Sequence, residues 1–164
     1  MKAKQFAAIE RISLFGSTTR MGPIGLHLYA QHYLSAAKSL PEPTVPFEPV
    51  RPYLVCHAIE LALKAFLSLE GKLMVELADG KLAHKLGALL SAAEEASLSK
   101  IVSLSDAQEN AVRLAETYYA GKVFEYPAVG EAISAYPGMP SLSLLFEVAT
   151  LLVEQLAIPC YETN

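Results

Sequence analysis

The chain has 164 residues, of which 52% are hydrophobic and 18% charged, and its net charge is −4. This length favours one domain, and the apolar share argues against disorder. The negative balance rules out a broad basic field for nucleic acid, leaving only local basic groups to meet phosphate. The apolar surplus also points to a self-association surface, because a small bundle cannot hide so much. Cys56 and Cys160 are too far apart in sequence for a metal-ligand spacing and read as reduced, buried thiols, which fits the cytoplasm. The N-terminus does not read as a secretory signal, since Glu10 and Arg11 interrupt the apolar run. The most hydrophobic segment, 142–158, carries Glu147 and Glu154, so no membrane span is expected.

Residues 1–21 form an arm or short element of undecided type. Phe6, Ile9, Ile12 and Phe15 suit a short helix, a strand or a loose arm, and Gly16 to Thr19 read as a turn. A single bundle domain then occupies 22–158. Pro23 opens a helix over 23–40, with Leu26, Ala30, Tyr33, Ala37 and Leu40 as its apolar seam. Pro41, Pro43, Pro46, Pro49 and Pro52 impose a stiff extended connector, the more economical reading beside a ligand for a proline-reading domain.

A second helix spans 53–71, with Leu54, Ala58, Leu61, Ala65 and Leu69 as its stripe and Gly71 as its stop. One helical turn is expected at Met74 to Leu77. A third helix covers 82–98, with Leu86, Leu89, Leu90 and Ala93 inward and Gly87 allowing a close approach. Ser105 and Gln108 form a capping box ahead of a fourth helix, on which Ala111, Leu114 and Tyr118 face in and Glu109 pairs with Arg113. A punctuated aromatic loop covers 121–140. The last helix runs from a Ser141 cap to Ala157, and Pro159 ends it. The pattern predicts an all-α, up-and-down bundle of four or five helices.

Templates for phosphate loops, zinc sites, nucleophile elbows and cofactors are absent. His27 and His32, five apart, suit a metal poorly. Five residues separate Arg51 from His57, and six separate Arg20 from His27. An arginine and a histidine at such spacing can supply a phosphate-stabilising cation and a general base, enough for metal-independent RNA cleavage. The blander reading makes Arg51 a surface residue at the helix start, with Pro52 splitting it from the helix that bears His57.

His57, Glu60 and Lys64 share one helix face. They read as a solvated side or, alternatively, as a buried ion pair at a helix junction or dimer interface. Together with His84, Tyr119, Lys122 and Tyr126 they form the candidate ligand-binding set. His84 is otherwise a structural contact. Tyr118, Tyr119, Phe124, Tyr126 and Tyr136 read as packing residues ahead of a base-stacking platform.

The run 53–71, Tyr-Leu-Val-Cys-His-Ala-Ile-Glu-Leu-Ala-Leu-Lys-Ala-Phe-Leu-Ser-Leu-Glu-Gly, resembles the second helix of HEPN domains. The run His84-Lys-Leu-Gly-Ala-Leu-Leu90 resembles their next helix, and the stretch from Tyr119 to Pro127, ending Phe-Glu-Tyr-Pro, resembles their late segment. The resemblance covers roughly residues 25–130. It implies a helical bundle, usually homodimeric. Members include RNases of toxin–antitoxin and phage-defence systems, and nucleotide-binding or inactive partners of nucleotidyltransferases. Active members carry an Arg-to-His motif late in the chain, where this sequence has Glu125 and no histidine after His84. The resemblance therefore implies a binding or regulatory module, for a nucleotide or a protein partner, without RNase activity. The alternatives are an endoribonuclease using Arg51 and His57, and a plain helical interaction domain.

Overall fold

The computed structural model describes residues 10–14, 17–45, 48–126, 130 and 136–162. Residues Glu10–Leu14 (β1) and Ser17–Met21 (β2) form a two-stranded antiparallel hairpin, with Glu10 opposite Met21 and Leu14 opposite Ser17. Of the readings open for this segment, the strand is the one found. Ser17, Thr18 and Thr19, expected in a turn, pair with β1 instead; Gly16, like Phe6, Ile9 and Phe15, lies outside the described residues.

The rest is a helical bundle: α1 Pro23–Ser39, α2 Val50–Leu69, α3 Met74–Leu77, α4 Leu86–Glu95, α5 Asp106–Ala120 and α6 Leu142–Tyr161. A 3-10 turn, Leu98–Lys100, follows α4. Helix α2 is the hub, packing against α1, α4, α5 and α6. A helix enclosed on that many sides must be apolar nearly all round. The run from Val55 to Ser68 is accordingly buried except at His57 and Leu61.

Helix α2 begins three residues before the sequence pattern suggests. Pro52 lies inside its first turn, where the missing N–H costs nothing. The exposed N–H groups of Val50 and Arg51 donate to the Glu48 carboxylate, at 2.6 and 3.1 Å. A side chain thus caps the helix and an acid meets its positive end. Pro52 does not separate Arg51 from the helix. At its far end Gly71 takes φ +93°, the left-handed conformation that closes helices.

Helix α4 is shorter than the predicted 82–98. Residues 79–84 coil in turns, His84 sits at φ +59°, and Ser97 at φ +70° breaks the other end. The Gly87 N–H donates to Glu116 Oε2 at 2.6 Å, and its carbonyl accepts from Arg113 Nη1 at 3.3 Å. A Cβ there would lie 3.1 Å from that Glu116 oxygen, so glycine admits the α5 side chains to the α4 backbone.

The capping box of α5 is present: Ser105 Oγ accepts from the Gln108 N–H, and the Ser105 N–H donates to Gln108 Oε1. Two expectations for α5 fail. Leu114 is 47% exposed rather than inward. Arg113 forms its ion pair with Glu94, at 2.8 Å across to α4, instead of with Glu109. Helix α6 runs through Pro159 to Tyr161, four residues past the predicted end. On the other flank of the bundle, His27 Nε2 donates to the Val153 carbonyl at 2.7 Å and ties α1 to α6.

Helices α2 and α6 are each long and apolar enough to cross a membrane by composition alone. Helix α2 is the core of the bundle. In α6, 33% of the most apolar window is buried, and Glu147 and Glu154 lie exposed on it.

Candidate functional site: a buried carboxylate shared by two imidazoles

Offsets of three and four carry His57, Glu60 and Lys64 along one face of α2. In the bundle that face is turned inward, so the solvated-side reading gives way to the buried ion pair. Glu60 is 1% exposed and Lys64 9% exposed. Other helices complete the cluster. Tyr119 arrives from the last turn of α5, and His84 from the turn before α4.

The Glu60 carboxylate accepts from every side. Lys64 Nζ lies 2.5 Å from Oε1, and the Tyr119 hydroxyl donates to Oε2. His84 contributes its ring Nδ1 at 3.2 Å and its backbone N–H at 3.4 Å, and His57 Nδ1 stands 3.4 Å away. Burial alone would raise this carboxyl's pKa. The His57 hydrogen bond, the Lys64 charge and hydrogen bond, and the Tyr119 hydroxyl outweigh it and hold Glu60 well below the usual carboxylate range. Burial, and then the Glu60 charge, push the Tyr119 hydroxyl far above its ordinary value, so it stays a proton donor.

His84 adopts a left-handed backbone, costly for a residue with a Cβ. Its two bonds to Glu60 hold it there. Aromatic rings line the cluster. Tyr53 stacks on His57 at 5.7 Å between centroids, Tyr33 meets His57 edge-on at 4.4 Å, and His84 sits edge-on to Tyr119 at 5.9 Å. The His57 and Lys64 side chains are mostly covered, whereas His84 is half exposed, so the cluster opens on the His84 side. Burial raises the Tyr53 pKa, and the Glu125 charge adds to it, which places an acidic group near this rim.

The remaining predicted residues lie elsewhere or are otherwise occupied. Arg51 does not join His57. Six positions along a helix turn the two side chains to different sides. Its Nη2 donates to the carbonyls of Leu40 and Pro41, at 2.8 and 2.6 Å, with Glu42 at 3.7 Å. Arg51 therefore closes the C-terminal end of α1. Lys122 lies 3.8 Å from Glu125, and Tyr126 is 71% exposed with no part in the Glu60 cluster. Tyr118, Phe124 and Tyr136 pack against one another as buried rings, and the Tyr118 hydroxyl donates to the Pro137 carbonyl. Part of the 121–140 loop, residues 127–129 and 131–135, lies outside the described residues.

Two participants escaped the sequence reading: Tyr53 and Tyr33. Tyr53 sits four residues before His57, a spacing that puts their side chains together, and this was the available signal. Nothing in the sequence ties Tyr33 to α2. Among the described residues no group of three His, Cys, Asp or Glu is arranged to hold a metal ion.

By its fold and site the chain is a helical bundle organised around a buried, fully bonded glutamate. Compared with family models, with curated proteins and with solved structures, it matches none.

Proposed function

We propose that the chain is a non-catalytic binding or regulatory module of HEPN-like type, cytoplasmic and homodimeric, taking an adenine nucleotide at the His57–His84 rim. A nucleotidyltransferase or toxin–antitoxin partner is the setting that the resemblance implies. The observation that carries the non-catalytic reading is the position of Arg51. Its guanidinium is engaged with the Leu40 and Pro41 carbonyls, while the His57 Nδ1 bonds the Tyr119 hydroxyl at 2.6 Å. A cation and a base directed to different neighbours cannot act on one phosphodiester within one chain. Support for the dimer comes from α6. Leu144, Leu151 and Ile158 recur every seventh residue, the first two half-buried against the core and Ile158 67% exposed.

Incubation with structured and single-stranded RNA in chelator is expected to give no cleavage, while calorimetry detects ADP binding and sedimentation equilibrium gives twice the chain mass. Cleavage abolished by His57→Ala, with the fold intact, would overturn this reading in favour of an endoribonuclease. If neither ADP nor RNA bound, a plain interaction domain would stand in its place.

A further inference from the structure

Charge is divided unevenly along the chain. Residues 1–21 carry Lys2, Lys4, Arg11 and Arg20 against Glu10 alone, a balance of +3. The whole chain is −4, so the remainder carries −7. A basic arm on an acidic body points to association by charge. The hairpin brings two of these cations together. Its register sets Arg11 opposite Arg20 and Ser13 opposite Thr18. Strand alternation puts these four positions on one face, and Glu10, opposite Met21, on the other. Directly opposed residues have Cβ atoms about 4.5–5.5 Å apart, a separation at which like charges repel. A carboxylate accepting from both guanidinium groups removes that repulsion through strong, charge-assisted bonds.

Carboxylates of that kind gather at one groove of the body. The groove, about 460 Å³ in volume, lies between the first turn of α5 and the first half of α6, lined by Gln108, Phe146, Glu147, Thr150 and Leu151. Helix α6 contains no lysine or arginine. Glu147 is exposed, and among the described residues its carboxylate meets only the neutral Gln108 amide, at 3.5 Å. Glu154 follows one heptad later, and Asp106 and Glu109 flank Gln108 on α5. None of these four acids has an ion pair among the described residues. Phe146 and Leu151 give the groove an apolar floor. Arginine suits such a place, since its stem covers apolar surface, its planar head stacks on a phenyl ring, and its tip reaches a carboxylate. Within the chain β2 packs against α1, and the groove on α6 is open.

Resting on the homodimer reading above, we propose that the Arg11–Arg20 face of one copy's hairpin docks into the α5–α6 groove of a second copy, with Glu147 held between the two guanidinium groups. A two-fold axis makes the contact twice, each arm reaching the other body.

The test is sedimentation equilibrium of the full chain at micromolar concentration. Arg11→Glu with Arg20→Glu sets acid against acid, and Glu147→Arg sets base against base. Each variant alone is expected to associate at least about tenfold more weakly than wild type, with far-ultraviolet circular dichroism unchanged. An equimolar mixture of the two is expected to recover wild-type affinity within about threefold, because both arm–groove contacts of the mixed pair match in sign. An arm folded onto its own groove gives no such recovery. Arg11→Gln with Arg20→Gln, and Glu147→Gln, read the weakening if the charge reversals melt early. Variants that dimerise like wild type, or a mixture that stays monomeric, would overturn the inference and leave the homodimer reading standing. A wild-type chain that stays monomeric would remove that reading and the inference with it.

Discussion

Glu60→Ala is expected to destabilise the protein by about 3–5 kcal/mol, the cost of leaving a buried partner uncompensated. Lys64, 9% exposed, would keep its charge without its 2.5 Å partner, and the Tyr119 hydroxyl and the His84 Nδ1–H would lose their acceptor. Against a typical total of about 5–15 kcal/mol, such a loss brings the chain near unfolding at ambient temperature. Denaturant titration measures it.

The same group gives the protein an acid limit. Its folded pKa lies below the unfolded value, so the stability it contributes is fully present above the unfolded carboxylate range, near about 4.3, and is lost as the pH falls below that range. The melting temperature should hold from neutrality to about pH 5 and then decline. Glu60→Gln should start lower and decline less steeply. A parallel decline in wild type and variant would show that Glu60 is not ionised in the folded chain.

Phe66→Ala is the second large loss. Phe66, 1% exposed, lies on the helix that touches α1, α4, α5 and α6, so its cavity cannot be filled from one side by a simple shift. Removing a buried phenyl ring costs about 3–5 kcal/mol, or a fall in melting temperature of roughly 10 °C for a chain of this size. Phe66→Leu, which restores most of the volume, should lose far less. Equal losses in the two variants would mean that the position is sensitive to shape rather than to the volume it fills.

Much of the fold was legible because the chain punctuates its helices strongly. Pro23 at the first position of α1, the Gly71 stop, the Ser105–Gln108 capping box and the isolated turn at Met74–Leu77 all stand where the sequence puts them. The misses have physical reasons. Pro52 looked like a barrier, but a proline in the first turn gives up no bond the helix needs. His84 and Lys85 looked helical, but Glu60 draws His84 into a left-handed turn, a tertiary override that no local pattern encodes. Arg113 was matched to Glu109 within its own helix, and the bundle offered Glu94 in better geometry across α4.

The site was half legible. His57, Glu60 and Lys64 share a face by spacing alone, yet whether that face meets water or another helix depends on packing far along the chain. Tyr119 lies 59 residues from Glu60, and no periodicity reports such a pairing.

The central claim is that Glu60 holds both imidazoles with their protons on Nδ1. Long-range ¹H–¹⁵N correlation spectra at neutral pH, assigned through His57→Gln and His84→Gln, read the tautomer of each ring directly. The expected pattern is the Nδ1–H tautomer for both His57 and His84, with His57 losing that preference in Tyr119→Phe, where the hydroxyl that accepts its proton is gone. An Nε2–H tautomer for both rings in the wild-type chain would contradict the account, since neither imidazole would then donate to the cluster.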